Sequence, residues 1–430
     1  MFWDREVETL PRSGLEKLQL ERLQETVQRV ASKVPFYQRR FAELGVKPGD
    51  IQSLADVRRL PFTTNMDLRT TYPDGLLAVG LQQAVRLHTS SGTTGKPKAL
   101  FFSRKDVENA AELMARSLVM TGITSSDVFQ NMMGYGLFTG GLIMHYGAEK
   151  VGCLVIPAGP GTSERQLMLM QDFGTTAVHI LPSYALYFAG FLEQRGINPR
   201  QHLKLRKAFV GAEPHTEETR LRIEAALGCD VYNSYGLTEM NGPGVAFECE
   251  HKAGLHLWED NFLLEIIDPA TAQPLPDGQV GELVLTSLRR EAMPLLRYRT
   301  RDLTSLIPEP CACGRTHRRL NRITGRSDDM LIVRGVNIFP QQIERVLMSL
   351  PQVGRNYVIL IEGLDDLTVK AELSASAFDG QVEHLAALQE QLTEKLRAEI
   401  WIRPKVELVP AGTLPVADGK AKRVIDHRVI

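Results

Sequence analysis

Cysteine is scarce, and its number is odd. The chain has five thiols in 430 residues, at Cys153, Cys229, Cys249, Cys311 and Cys313, which argues against a disulfide framework. An excess of one charge is also lacking: Lys+Arg is 50 and Asp+Glu is 51, for a formal net charge of -1, and like charges form no long block. A basic face for nucleic acid is therefore disfavoured. No run reaches the roughly 18 to 20 apolar residues that a membrane-spanning helix needs. The opening Met1-Phe2-Trp3-Asp4-Arg5-Glu6 carries two acids and leads into no apolar stretch, so it does not read as a secretory signal and a reducing cytoplasm is the expected location. Internal repeats and low-complexity tracts are missing as well.

What is present fits a folded protein of two domains. Apolar residues make up 43% of the chain and charged residues 23%, an ordinary balance for a globular protein, while 430 residues exceed one ordinary core. Leu15, Leu18, Leu23, Val27 and Val30 recur near three- and four-residue spacing, which predicts an amphipathic helix over 14–33 that stops before Pro35. From about residue 84, short apolar strands at 152–157, 177–181 and 207–211 alternate with helical stretches, the rhythm of an α/β fold with largely parallel sheets. Consecutive strands with turn signals such as Pro276-Asp277-Gly278 then predict a β-rich subdomain over about 255–325. Beyond Gly325-Arg326-Ser327-Asp328-Asp329 the pattern is a helix near 340–349, strands at 357–361 and 367–371, a helix near 381–399 and a strand at 405–409. The expected architecture is thus a large α/β N-terminal domain, 1–327, and a small mobile α+β C-terminal domain, 328–430.

The segment from His88 to Lys98, His-Thr-Ser-Ser-Gly-Thr-Thr-Gly-Lys-Pro-Lys, follows the strand Ala84-Val85-Arg86-Leu87. Its hydroxyls, glycines and lysines can wrap oxyanions, which suits a polyphosphate. It is not a Walker A loop, because Ser90 stands where that pattern needs Gly and Pro97 follows the lysine. Alone, such a stretch reads as a solvated turn. It is not alone: Gly211-Ala212-Glu213-Pro214, Tyr235-Gly236-Leu237-Thr238-Glu239, Tyr298-Arg299-Thr300-Arg301-Asp302, Gly325 to Asp329 and Gly419-Lys420 follow in order. The set resembles the adenylate-forming superfamily of acyl-CoA synthetases, luciferases and peptide-synthetase adenylation domains. The segment Gly134-Tyr135-Gly136-Leu137-Phe138-Thr139-Gly140-Gly141, with Gly254-Leu255-His256, Glu259-Asp260 and Cys311-Ala312-Cys313-Gly314, is similar to the shorter phenylacetate-CoA ligase branch.

The resemblance implies ATP-dependent activation of an aromatic carboxylic acid to an acyl-adenylate and then transfer to CoA, with AMP and pyrophosphate released. It implies that Ser90, Ser91, Gly92, Thr93, Thr94, Gly95 and Lys96, within a loop from Thr89 to Lys98, hold the β and γ phosphates, that Thr238 bonds the α-phosphate, and that Glu239 is the Mg²⁺ ligand. Gly211, Ala212, Glu213, Pro214, Tyr235 and Gly236 would enclose the adenine, Asp302 would hold the ribose hydroxyls, and Arg326 would complete the nucleotide set. Lys420 would neutralise charge at the α-phosphate as the catalytic lysine, together with Thr238 and Glu239. Tyr135, Gly136, Phe138, Ser234 and Tyr235 would wall the acyl pocket, and Asp328 and Gly335 would serve as hinge and CoA-tunnel positions.

Three thiols, Cys249, Cys311 and Cys313, with one imidazole suit a closed structural Zn²⁺ site. His256 belongs to the branch-like Gly-Leu-His and is preferred, with His251 as the alternative ligand. The expected partners are small molecules, without nucleic acid or membrane, and relatives suggest a homodimer. The competing readings are an adenylating enzyme with another acid or acceptor, like the coenzyme F390 synthetases, and a catalytically inactive zinc-containing binding protein.

Overall fold

The structure, a computed structural model, describes residues 1–90, 97–362, 366–374, 382–415 and 421–428. The chain divides into two compact units, one of Met1–His179 with Tyr232–Arg322, the other of Ile180–Val231 with Ile323–Ile430. The expected boundary at 327/328 thus falls inside a unit that also takes up Ile180–Val231.

In the first unit, helix Arg12–Lys33 fully buries Leu15, Leu23, Val27 and Val30, the stripe expected from the spacing, and stops at Val34 before Pro35. The parallel sheet forms where the alternating pattern placed it. Strand Val128–Asn131 pairs in parallel with Leu154–Ile156 and with Ala177–Ile180, and helices Thr139–Val151 and Ser163–Phe173 lie between them in sequence. The β-rich stretch begins earlier than expected. Strand Asp230–Leu237 turns back into Gly242–Glu248, which pairs antiparallel with Leu255–Leu257, and this is followed by Arg319–Leu320 and Leu306–Ile307. A second antiparallel sheet joins Phe262–Ile267, Gly281–Ser287 and Tyr298–Thr304. A hairpin pairs Ala84–Thr89 with Ala99–Ser103, so the phosphate-type loop is the connection at its end.

In the second unit, strand Lys207–Gly211 is accompanied by helices Pro182–Gln194 and Glu217–Leu227. Its later part is an α+β fold, with strand order Lys405–Val409, Asp366–Leu373, Val353–Glu362, Val424–Asp426 and helices Pro340–Ser349 and Val382–Ile400. A tight hairpin, Leu331–Val333 with Val336–Ile338, turns through Arg334 and Gly335, which have φ of +51° and +74°. Two successive positive φ values are what a two-residue hairpin turn demands.

Candidate active site

In the first unit the pieces converge on the turn Thr238–Met240. Strand Asp230–Leu237 delivers it, and Gly236 has to be glycine there: a Cβ would lie 2.0 Å from the Gly242 carbonyl oxygen. Thr139, at the start of helix Thr139–Val151, brings its hydroxyl within 3.5 Å of that of Thr238. The Leu137 carbonyl accepts from the Thr89 N–H at 2.9 Å and meets the His88 ring at 3.1 Å, tying the Tyr135–Phe138 segment to the strand that leads into the phosphate-type loop. Gly141 permits the close approach, since a Cβ would sit 2.3 Å from the Gly134 carbonyl oxygen. The fourth piece is strand Tyr298–Thr304, whose Tyr298 hydroxyl donates to Glu239 at 3.0 Å.

Glu239 is buried and ion-paired with Lys98. Burial pushes its carboxyl up, but the Lys98 ammonium and the donors around it outweigh that and hold it below the usual carboxylate range. A buried ionised carboxylate is a hard oxygen ligand of the kind Mg²⁺ takes. The Arg290 guanidinium secures the turn from behind, donating to the Glu239 carbonyl at 2.6 Å and the Phe101 carbonyl at 3.1 Å, while burial pushes its pKa down to about 10.

Tyr235 donates its hydroxyl to Asp302 at 2.5 Å, and the Asp302 N–H is held by the Thr300 hydroxyl at 3.0 Å. Arg301, just before, has φ of +69°, a left-handed conformation that costs energy for a residue with a side chain and recurs at functional sites. Ser90 places a buried hydroxyl at the mouth of the loop with no hydrogen-bond partner among the described residues. Ser91, Gly92, Thr93, Thr94, Gly95, Lys96 and Lys420 lie outside the described residues. Of the acyl-pocket set, Tyr135 is half-buried with its hydroxyl 3.1 Å from the His145 ring, Ser234 is buried, and Phe138 is exposed; burial pushes the Tyr135 phenol up to about 12. A Cβ on Gly136 would meet nothing within 4 Å, so the space there is open.

In the second unit, Gly211 ends strand Lys207–Gly211 and Ala212 follows with φ of +65°. Glu213 accepts from the Ser183 N–H at 3.1 Å and hydroxyl at 2.9 Å, and from the Ala421 N–H at 2.8 Å. Pro214, next in sequence, is exposed. Arg326 makes a two-pronged pair with Asp328, at 2.9 and 3.0 Å. A Cβ on Gly335 would meet nothing within 4 Å, so it is the turn conformation, and not crowding by this chain, that requires glycine there.

The cysteine box closes on His256. The ligand atoms of Cys249, His256, Cys311 and Cys313 all lie within 4.8 Å of one another, with Cys249 Sγ 3.7 Å from Cys311 Sγ and Cys313 Sγ 3.3 Å from His256 Nε2. The other ring nitrogen, Nδ1, faces the His317 carbonyl at 3.3 Å, an outer contact that fixes the ring with Nε2 toward the thiols. His251 is exposed and outside the cluster. The hydrogen bond from Cys249 pulls the Cys313 thiol down to about 2 against the effect of burial, while that same hydrogen bond, together with burial, raises Cys249.

Lys98 and Arg290 are the site residues that the sequence did not single out as partners of Glu239. Tyr298 stood inside a quoted motif, Lys98 closed another, and Arg290 carried no local signal.

The chain matches the family model of the AMP-binding enzyme over residues 22–288 and that of the AMP-binding enzyme C-terminal domain over 335–428. It is 46% identical to a phenylacetate-coenzyme A ligase of Thermus thermophilus, over 100% of both chains. To one of Pseudomonas putida it is 45% identical, over 98% of this chain and 96% of that one. The crystal structure of 2-hydroxyisobutyryl-CoA ligase in the postadenylation state, with an adenylate bound, is 30% identical and superposes with a TM-score of 0.94, covering 99% of this chain and 92% of that one. Fold and site together define an AMP-forming acid–CoA ligase. The chain belongs to the AMP-binding enzyme family, in its phenylacetate-coenzyme A ligase branch.

Proposed function

We infer that this ligase activates phenylacetate, or a close aryl acetate, and passes the acyl group to CoA in the cytoplasm. The observation that carries the reading is the 46% identity along the whole chain to a phenylacetate-coenzyme A ligase. The acid's carboxylate attacks the α-phosphorus of ATP, forming the P–O bond of the acyl-adenylate as pyrophosphate leaves. The CoA thiolate then attacks the acyl carbon, and AMP leaves with the carboxyl oxygen. Catalysis of this kind is mostly positioning and charge stabilisation.

In this reading Glu239 holds Mg²⁺, which when bound would neutralise phosphate charge. Thr238 donates to the α-phosphate, and Ser90 to Lys96 wrap the β and γ phosphates. Tyr235 and Gly211 to Pro214 are the residues assigned to the adenine. Asp302 takes the ribose hydroxyls, which requires the Tyr235 hydroxyl to share or yield that carboxylate. Arg326 contacts the nucleotide. Lys420 offsets charge as the α-phosphorus becomes five-coordinate. Tyr135, Gly136, Phe138 and Ser234 receive the aromatic ring, the open space at Gly136 leaving room for it. Residues 328–430 act as the mobile lid, hinged at Asp328, with the Gly335 turn along the path of the CoA arm.

Cys249, His256, Cys311 and Cys313 would hold a structural Zn²⁺: three soft sulfurs and one oriented imidazole fit a tetrahedral ion and leave no position for substrate. A homodimer is proposed as the assembly, to be read by light scattering. The test of the function is a screen of aromatic and aliphatic acids for ATP-dependent pyrophosphate release, with and without CoA. Phenylacetate should lead the panel, with thioester formed only when CoA is added. Preference for an aliphatic acid, or AMP transfer without thioester, would overturn it.

A further inference from the structure

Within the second unit, two helices cap each other's open ends. Helix Glu217–Leu227 starts at Thr216, and a helix start leaves N–H groups without intrahelical partners. The Glu344 carboxylate, from helix Pro340–Ser349, accepts there: its Oε1 takes the Thr216 N–H at 3.3 Å and also the Thr219 hydroxyl. The converse holds at the end of the Pro340–Ser349 helix, where the last carbonyls have no partner four residues on within the helix. Arg222, from the Glu217–Leu227 helix, donates to the carbonyls of Leu350, Leu347 at 3.4 Å and Val353 at 3.0 Å. A carboxylate thus sits at one helix's N-terminus and a guanidinium at the other's C-terminus, the signs that the two helix dipoles favour.

The network runs on to the chain that follows Lys420. Tyr357 donates to the second Glu344 oxygen at 3.0 Å. The Arg423 guanidinium lies 4.5 Å from the Tyr357 ring centre and donates to the Tyr357 carbonyl at 3.2 Å. Strand Val424–Asp426 then pairs with Val353–Glu362. Two residues before Arg423, the Ala421 N–H is held by Glu213 at 2.8 Å. The chain after Lys420 is therefore held at Ala421 by Glu213 and at Arg423 by Tyr357, the residue that donates to Glu344. Glu344 is only 8% exposed, and burial pushes its carboxyl up despite the donors from Thr219, Thr216 and Tyr357, so the contact depends on all of them.

We propose that Glu344 and Arg222 are positioning residues for adenylate formation, a reciprocal clasp that holds the lysine-bearing end of the chain on the Glu217–Leu227 helix during the first half-reaction. The proposal rests on the functional reading above, in which Lys420 serves the first half-reaction and not the second. Neither residue touches substrate; both act through the placement of the chain around Ala421.

The test separates the two half-reactions. Glu344→Gln keeps the shape and removes the charge, Arg222→Met keeps the stem and removes the donors, and Thr219→Val removes one hydroxyl. Each full-length variant is assayed for phenylacetate-dependent pyrophosphate release without CoA, for thioester formation from supplied phenylacetyl-adenylate, and for melting temperature. Loss of a hydrogen bond to a charged group predicts that pyrophosphate release falls about tenfold in Glu344→Gln and in Arg222→Met. Thioester formation should stay within about twofold of wild type, as expected for residues that serve one step only. Thr219→Val should shift the same ratio in the same direction. If Glu344→Gln does not fold, Arg222→Met carries the test. Equal losses in both halves, or no loss in either, with an active wild type, overturn the clasp alone. A wild-type enzyme without phenylacetate-dependent pyrophosphate release overturns the functional reading and the clasp with it.

Discussion

Lys98 and Glu239, 141 positions apart in sequence, form a buried ion pair at the centre of the candidate site. The ammonium stands where a cation is needed beside the carboxylate that we assign to Mg²⁺. Removing one partner of a buried pair leaves the other charge uncompensated, a loss of about 3–5 kcal/mol. Lys98→Met should therefore destabilise the metal-free enzyme by about 3 kcal/mol, and saturating Mg²⁺ with ATP should restore part of the loss. Melting curves with and without Mg²⁺-ATP check this; a variant as stable as wild type would show that the pair contributes little.

The Tyr235–Asp302 hydrogen bond, at 2.5 Å, predicts two different outcomes for two small changes. Asp302→Asn removes the charge that would accept both ribose hydroxyls and should raise the KM for ATP about tenfold or more. Tyr235→Phe retains the ring and frees the carboxylate, so its KM for ATP should change far less. Steady-state kinetics with varied ATP distinguishes them, and equal effects would contradict the division of roles.

Much of the fold was legible because it is written in local patterns. The 3.6-residue stripe of Leu15, Leu23, Val27 and Val30 becomes a buried helix face, and the alternating β-branched runs become the parallel strands Leu154–Ile156 and Ala177–Ile180. The quoted motifs named Thr238, Glu239 and Asp302 as candidates, and the structure places Glu239 in a buried ion pair with Lys98 and Asp302 against the Tyr235 hydroxyl. What sequence could not show is which side chains meet across long separations. Arg290 reaches the Glu239 carbonyl, and Glu344 reaches Thr216 over 128 positions, with no spacing to announce either. The sequence preferred His256 on its Gly-Leu-His setting and kept His251 as the alternative; the structure groups His256, buried, with the three thiols. The grouping of Ile180–Val231 with the C-terminal segment likewise follows from helix-end contacts that no periodicity encodes.

The four-residue Cys/His cluster predicts metal content. Purified enzyme prepared without chelators should carry about one zinc per chain. Cys311→Ser should lower the metal content and, because ligation is coupled to folding, lower the melting temperature by about 5 °C or more. Activity should fall through stability, while the KM for ATP stays unchanged. Metal-free wild type, or a Cys311→Ser variant as stable as wild type, would contradict the assignment.

Glu259 and Asp260 are fully buried and give a pH dependence of stability. Burial pushes both carboxyls up, but Arg318 and Arg12 around Glu259, and Arg116 and Arg22 around Asp260, outweigh it and hold both below the usual carboxylate range. Folded values below the unfolded ones give stability that is present above the unfolded carboxylate range and lost as pH falls through the folded values. The melting temperature should therefore decline below about pH 4, and Arg116→Met should move the decline to higher pH. Identical acid limbs in wild type and variant would contradict this.

The central claim, adenylation of phenylacetate before any thiol chemistry, is tested most directly by single-turnover mixing of enzyme, ATP, Mg²⁺ and phenylacetate without CoA, followed by quenching and chromatography. The account predicts phenylacetyl-adenylate and pyrophosphate in equal amounts in wild type and neither in Lys420→Ala, with thioester and AMP appearing only once CoA is added to wild type. Absence of the adenylate from wild type, or its undiminished formation by Lys420→Ala, would contradict it.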